Sequence, residues 1–461
     1  MSYDPQGDIA AMVARKKASF SRRQFFKSVA LSTTAVAIPF YVPGKLLGRD
    51  GAVPPSEQVI LGAFGMGSRG THVLRVFLQQ PDVRFTSVCD VRRDRREAIK
   101  RMVDEMYGSN DVTMFRDLFE FYEANPQMDA VLIATGDRWH AMASIIAAKA
   151  GKDIFCEKPL SLTIQESRAV EVAVNRYGRI FQAGTQRRTI GNFMLAAKLA
   201  HDGKLGKITE VHANTRTPET THDWLPGEPE PPRDEVDWDM WLGPTPWRPF
   251  NSAYIRGAGG WHHHFDFHGG GILEWGTHTV DLCQWGNQSD DTVPVEYWAT
   301  YNANGEKTAR VEARYANGVK LVMRTDGWLG LGTCAIRFVG EEGWVETADS
   351  GRMEVSSDAL RRELRFFGMP GTDPTNHVRE FLDCVKSRRE PSSHADVAAM
   401  AHIACHCAKI AWDLSPARKS ASEEGIVLKF DPVKEEFIGT GSDTDVANRF
   451  RSRAMRSPWR I

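Results

Sequence analysis

Between residues 55 and 184, short, largely apolar runs alternate with longer segments of helical spacing. The runs are Val59-Ile60-Leu61, Val83 to Cys89, Ala130-Val131-Leu132-Ile133-Ala134, Ile154-Phe155-Cys156 and Arg179 to Ala183. Thr71 to Gln80, a charged stretch through Met106, and Ala141 to Ala150 carry the helical spacing. Strands apolar on both faces, interleaved with helices, predict a doubly wound parallel sheet. Further on the texture changes. Residues 207–216 and 293–347 alternate apolar and polar positions with Gly-rich turns, which predicts a largely antiparallel sheet with one open face. Helices return over 374–386 and 394–413. The segment 217–271, rich in Pro, Trp and His, lacks either period, and a loop of that length points to function. The chain therefore reads as α/β, with an N-terminal parallel-sheet domain at 55–184, a C-terminal α/β domain at 185–430 and a weakly patterned tail at 431–461.

Upstream, Ser21-Arg22-Arg23-Gln24-Phe25-Phe26-Lys27 precedes an apolar stretch from Ser28 to Val42 interrupted by Pro39. That stretch is shorter than the roughly 20 residues a membrane span needs. A basic region followed by a short apolar one is the pattern of a signal peptide, and the arginine pair makes it a twin-arginine signal. Residues 1–45 are assigned to this leader and 46–54 to a linker. Ala35-Val36-Ala37 offers a cleavage site, but apolar residues continue past it, so an uncleaved membrane anchor stays open. The expectation is export of the folded chain to the periplasm by the twin-arginine translocase.

Charge is nearly balanced, 58 basic against 59 acidic residues, so no global field would recruit nucleic acid or anionic lipid. The basic cluster at Arg92-Arg93 and Arg95-Arg96 reads as a solvated face. Seven cysteines, odd in number, scattered and without a Cys-x-x-Cys pair, argue against a disulfide framework.

Chemistry enters with Gly65-Met66-Gly67-Ser68-Arg69-Gly70, placed after an apolar strand and at the start of a helix. In that setting Gly65 allows the tight turn, Gly67 lets the backbone approach a pyrophosphate, and Gly70 allows close helix packing. The helix start offers unpaired N–H donors to phosphates, Ser68 and Arg69 among them. Asp90, 20 residues after Gly70, stands where an acid binds ribose hydroxyls. This is a Rossmann dinucleotide-binding domain. An acid at position 90 favours NAD, whereas Arg92 and Arg93 keep NADP open, since nearby arginines accept a 2′-phosphate.

Glu157-Lys158-Pro159 follows the strand ending at Cys156, on the carboxyl edge of the sheet where ligands sit. Lys158 there could hold a substrate hydroxyl in its deprotonated form, or be a surface lysine in a turn. If residues 272–286 form one helix, Glu274, His278, Asp281 and Trp285 share a polar stripe. A histidine flanked by carboxylates suits a general base, though a satisfied histidine on a solvated face fits as well.

Taken together, the glycine loop, Thr135-Gly136-Asp137-Arg138-Trp139-His140, Glu157-Lys158-Pro159 and the Gly269 to Asp281 run resemble the glucose–fructose oxidoreductase/inositol dehydrogenase (Gfo/Idh/MocA) family. His377 to Val385 and the closing Arg456-Ser457-Pro458-Trp459 resemble its exported branch. The resemblance implies Lys158 as ligand of the substrate hydroxyl, often followed by a cis proline, here Pro159. It also implies His278 as general base, assisted by the acid at 274. Gly65, Gly67, Ser68, Arg69, Gly70, Asp90, Arg92, Thr135, Trp139, His140, Glu157 and Lys158 are then the cofactor contacts. Position 274 is Glu rather than the usual Asp, so its partner is expected to shift. Gly136 replaces a usual proline, which is expected to loosen the turn before Trp139 and His140.

Trp224, Trp261, His264 and Asp281 are the candidate substrate contacts, the tryptophans by stacking on sugar rings. Strand-like alternation would put His262, His264, Asp266 and His268 on one face, where they would bind a divalent metal or contact a sugar; no metal is assigned. The resulting expectation is hydride transfer from a secondary hydroxyl of a sugar or glycoside to tightly bound NAD, in a homo-oligomer joined through the open sheet. Two alternatives share these residues: a redox-neutral glycosidase acting through transient oxidation at C3 and elimination, and a non-catalytic sugar-binding protein.

Overall fold

The computed structural model describes residues 53–365, 370–416 and 425–461; the leader at 1–45 and most of the 46–54 linker lie outside the described residues. No helix among the described residues is long and apolar enough to cross a membrane.

The first half is a six-stranded sheet with every pairing parallel. Its strands are β1 (Val59–Phe64), β2 (Val83–Cys89), β3 (Thr113–Phe115), β4 (Ala130–Ile133), β5 (Asp153–Cys156) and β6 (Phe181–Ala183), in the order β3-β2-β1-β4-β5-β6. The reversal after β1 opens a crevice between the carboxyl ends of β1 and β4, where ligands of such sheets sit. The helices of this half are α1 (Ser68–Leu78), α2 (Arg93–Tyr107), α3 (Leu118–Ala124), α4 (Asp137–Lys149) and α5 (Ile164–Tyr177). β4 is buried along its whole length, as its unbroken apolar sequence requires.

The second half is a nine-stranded sheet. β7 (Ile208–Asn214), β8 (Glu296–Tyr301), β9 (Lys307–Arg314), β10 (Lys320–Arg324), β11 (Ile336–Gly340), β12 (Gly343–Thr347), β13 (Met353–Val355), β14 (Leu428–Asp431) and β15 (Glu436–Ile438) run in the order β13-β12-β11-β7-β10-β9-β8-β14-β15. Only β7 and β10 pair parallel; the other pairings are antiparallel. One face packs on α6 (Gly191–His201), α7 (Gly276–Gly286) and α9 (Ala395–Leu414), and this contact holds the larger apolar core. The preceding helix, α8 (Thr375–Ser387), docks instead on the first half, where Phe381 meets Phe77 and Phe155 edge-on.

Three expectations change here. The segment 217–271 is not structureless: Trp238–Leu242 is helical, and Trp238, Trp241, Leu242, Phe250, Tyr254 and Phe267 form a small core of their own. Residues 272–286 are not one helix, because the chain turns at Trp275 between a short helix at Gly271–Glu274 and α7. The arginine cluster is not simply solvated, since Arg96 is buried and donates to the Asp90 carbonyl. All seven cysteines are buried and unpaired.

Candidate active site

A cleft lies over the crevice, lined by the Gly65–Arg69 loop, Asp90 to Arg92, Arg95, Ala134 to Gly136, Arg138 and Trp139 on one side. Met240, Trp241, Tyr254, Ile255 and Trp261, from the Trp-rich segment, close the other. At Gly65, φ is +78° and an added Cβ would stand 2.4 Å from Thr135 Cγ2. At Gly70 it would stand 2.8 Å from Ala134 Cβ. The loop therefore lies directly on the β4 edge, with the N-terminus of α1 facing the cleft, a cradle that fits a dinucleotide pyrophosphate. Asp90 turns its carboxylate to the loop: Met66 N–H donates to Oδ2 at 2.6 Å and Arg92 N–H to Oδ1 at 2.9 Å. The Arg92 guanidinium is occupied by Asp94 and the Ile255 carbonyl.

Gly136 caps the start of α4 with φ −79° and ψ 158°, a conformation open to any residue. What the glycine provides is space, because a Cβ there would stand 2.3 Å from Arg138 Nη1. The Arg138 guanidinium lies 3.4 Å from the Trp241 ring centroid and donates from Nε to the Trp241 carbonyl at 2.7 Å. The turn is thus filled rather than loosened. Trp139 lines the cleft while its Nε1–H donates to the Met240 carbonyl. His140 is fully buried; its Nδ1 and Nε2 lie 2.6 Å and 3.1 Å from the Pro159 and Thr135 carbonyls. It braces the loop and does not reach the cleft.

Lys158 precedes a cis peptide bond to Pro159. Its ammonium donates to both the Glu274 carboxylate and the Glu274 carbonyl, each at 2.8 Å. The turn at Trp275 and the extra methylene of Glu bring that carboxylate to the lysine, where the resemblance had set it beside His278. Two of the three ammonium hydrogens are taken, and the third remains for a substrate oxygen. Burial raises the Glu274 carboxyl, but Lys158 and His268 outweigh it and hold it well below the ordinary value. Arg69 donates to Glu157 at 2.8 Å, tying the glycine loop to the strand end beside the lysine.

His278, on α7, is buried, and no group bonds its Nδ1. Burial first, then Arg187 and Lys158, push its pKa well below the usual histidine value, so the ring is neutral and free to take a proton. Arg187 was not foreseen in the sequence; its pairing with Asp349 at 2.7 Å, through a residue 162 positions away, left no local signal.

Of the four expected substrate contacts, Trp261 lines the cleft. Trp224 is exposed beside Arg248, and His264 faces the Asp223 carbonyl at 3.1 Å. Asp281 is closed off in a buried ion pair with Arg188 at 2.7 Å, so the helical stripe ends at His278. Residues 262–268 do not form a strand, and Asp266 pairs with Arg248. What meets instead is His262, His268 and Glu274, whose nearest ligand atoms all lie within 4.8 Å of one another. That spacing would suit a metal, but the Gly270 N–H donates to His268 Nδ1 at 3.1 Å. Nε2 therefore carries the ring proton and has no lone pair to offer. Within the trio His262 stacks on His268, and His268 Nε2 faces Glu274 Oε2 at 3.7 Å.

Residues 58–185 match the NAD-binding Rossmann fold of an oxidoreductase family, and residues 220–461 match the C-terminal alpha/beta domain of the same family. An inositol 2-dehydrogenase of Agrobacterium fabrum is 31% identical over 172 residues, 36% of this chain and 48% of that protein. A glycosyl hydrolase family 109 protein of Saccharopolyspora erythraea is 28% identical over 156 residues, 33% of this chain and 34% of its own. The chain thus matches about half or less of these curated relatives. The crystal structure of an aldose-aldose oxidoreductase from Caulobacter crescentus superposes with a TM-score of 0.52 at 17% identity, over 76% of this chain and 97% of that one.

Proposed function

The chain belongs to the Gfo/Idh/MocA oxidoreductase family, and on that premise we propose that it oxidises a secondary hydroxyl of a sugar or glycoside with tightly bound NAD. The observation that carries the reading is a lysine with one free N–H, just beyond the carboxyl end of β5, together with a neutral histidine on α7 whose Nδ1 is unbonded. Lys158 holds the substrate oxygen and stabilises the charge that develops as its proton leaves. His278 takes that proton. Glu274 accepts two of the lysine's hydrogen bonds and holds its ammonium in place. NAD, when bound along the glycine loop, supplies the hydride acceptor. Asp90 at the ribose position and the engagement of Arg92 by Asp94 and Ile255 favour NAD over NADP.

The Ser21–Lys27 motif supports export, with the twin-arginine translocase as partner and the periplasm as destination. An exported enzyme has no cytoplasmic pool to renew its cofactor, so the cofactor stays bound and is recycled on the enzyme. The half-covered outer face of the large sheet, carrying Trp298, Trp344 and crossing ion pairs, supports a homo-oligomer.

The redox-neutral glycosidase is the second reading, favoured by the glycosyl hydrolase relative. Both are tested on protein purified without added cofactor, following absorbance at 340 nm as aryl glycosides are supplied. NADH that forms once per site and stops until an acceptor sugar is added supports the oxidoreductase. Release of aryl alcohol over many turnovers without net NADH supports the glycosidase. Lys158→Ala should abolish either signal while NAD stays bound, and wild-type turnover by that variant would overturn the site.

A further inference from the structure

Beside the Lys158–Glu274 pair stands a group that neither the proton transfer nor the cofactor cradle uses. His268 Nε2 lies 3.7 Å from Glu274 Oε2 and 4.0 Å from Asp137 Oδ2. Both separations are too long for a hydrogen bond. His268 Nε2 and Asp137 Oδ2 are nevertheless buried without any partner, on residues 2% and 3% exposed. Each such orphan costs about 1–3 kcal/mol. Two of them 4.0 Å apart can be answered together by one polar atom placed between them.

The chemistry of the three groups narrows what that atom is. His268 Nε2 is a fixed donor, because its Nδ1 accepts from Gly270. His262 stacks on the same ring, centroids 4.4 Å apart at 23°, and holds its plane. Glu274 is an ionised acceptor. Burial, then the Glu274 charge, raise the Asp137 carboxyl well above its ordinary value, which favours its protonated, hydrogen-donating form. One oxygen can sit about 2.8 Å from both His268 and Asp137 across their gap. A carbonyl or ether oxygen would take up the two donors but leave Glu274 Oε2 unanswered. A hydroxyl answers all three, accepting from His268 and Asp137 and donating to Glu274.

We propose that His268, Asp137 and Glu274 bind a second hydroxyl of the substrate, on the carbon adjacent to the one oxidised at Lys158. The site is then selective for vicinal diols. Adjacency follows from Glu274 itself, whose Oε1 serves Lys158 while Oε2 serves the second hydroxyl. This rests on the sugar oxidoreductase reading above. Asp137 and His268 are specificity residues here, and neither takes the proton of the oxidised hydroxyl.

The test is calorimetric titration of the NAD-saturated protein with methyl β-D-glucopyranoside and its 2-, 3- and 4-deoxy analogues. The parent glycoside is expected to bind more tightly than an analogue lacking the adjacent hydroxyl. His268→Ala and Asp137→Ala should each weaken the parent about 10- to 100-fold while leaving that analogue unchanged. Asp137→Asn, which keeps a donor, should restore the parent to within a few-fold of wild type. Equal weakening of parent and every analogue would show a merely structural role and overturn the inference, as would a parent that binds no better than all three analogues. Absorbance at 340 nm on the same samples separates this from the functional reading. Discrimination without NADH keeps the diol site and counts against hydride transfer, whereas NADH without discrimination does the reverse.

Discussion

At the scale of single residues, the site runs on charges that bias one another. His278 carries no hydrogen bond at Nδ1, and burial together with Arg187, Lys158 and Arg69 keeps it neutral. The sign follows directly. A histidine whose pKa falls on folding stays unprotonated as pH drops through its ordinary value near 6.5, so it remains a competent base there. The acid limb of kcat/KM assigned to His278 is therefore expected below pH 6.5. Arg187→Met removes a nearby positive charge, which raises the His278 pKa. The limb in that variant should move to higher pH, with little change in kcat/KM on the alkaline plateau. A pH profile of the two proteins decides it, and a limb that does not move would remove Arg187 from the electrostatics of the site.

At the scale of elements, most of what was legible in the sequence came from period, and most of what was not came from contacts between distant segments. The unbroken apolar run at Ala130–Ile133 is a strand buried along its whole length, and Val83–Cys89, a strand of the same sheet, alternates before its buried end. The glycine loop could be read because its spacing encodes local geometry. Residues 272–286 misled for the opposite reason. Their period fits one helix, but Gly270 at φ +80° and Gly271, whose Cβ would stand 2.3 Å from Arg216 Cβ, pack closely on residues 216–218, and the chain turns at Trp275. That turn sends Glu274 to Lys158 and Asp281 to Arg188, neither of which periodicity could show. Likewise, Gly136 reads as a loosened turn until Arg138 is seen to fill it. The cofactor cradle can be tested at this scale. Gly65→Ala combines a left-handed backbone with a Cβ 2.4 Å from Thr135 Cγ2. The expected cost of about 1–3 kcal/mol falls on the loop, which should lower NAD affinity roughly 10-fold or more while the unfolding transition of the second half is retained. Titration of NAD against tryptophan fluorescence would show it, and unchanged affinity would mean that NAD does not lie on this loop.

At the scale of the whole molecule, the cleft has its shape because the two halves are locked together by α8 as well as by the site itself. Asp82, in the turn before β2, takes Arg379 at 2.8 Å and Lys386 at 2.5 Å from that helix, above the Phe77–Phe381 contact. Arg388, just beyond the helix, reaches Asp153 at the start of β5. The closing tail adds a second clasp, with Trp459 buried edge-on against Trp139 at 4.9 Å, behind the cleft wall. Burial raises the Asp82 carboxyl, but Arg379 and Lys386 together bring it down to about 2. A carboxyl lowered on folding stabilises the native state above its unfolded pKa, here near 3.8, and loses that contribution as pH falls toward 2. Because both partners are partly solvated, the full shift overstates the gain, and roughly 1 kcal/mol is expected for Asp82→Asn at neutral pH. Urea unfolding of variant and wild type should differ by that amount at pH 7, and the gap should narrow as pH is lowered below about 4. A gap that stayed constant with pH would mean that Asp82 stabilises the join between the halves through its shape rather than its charge.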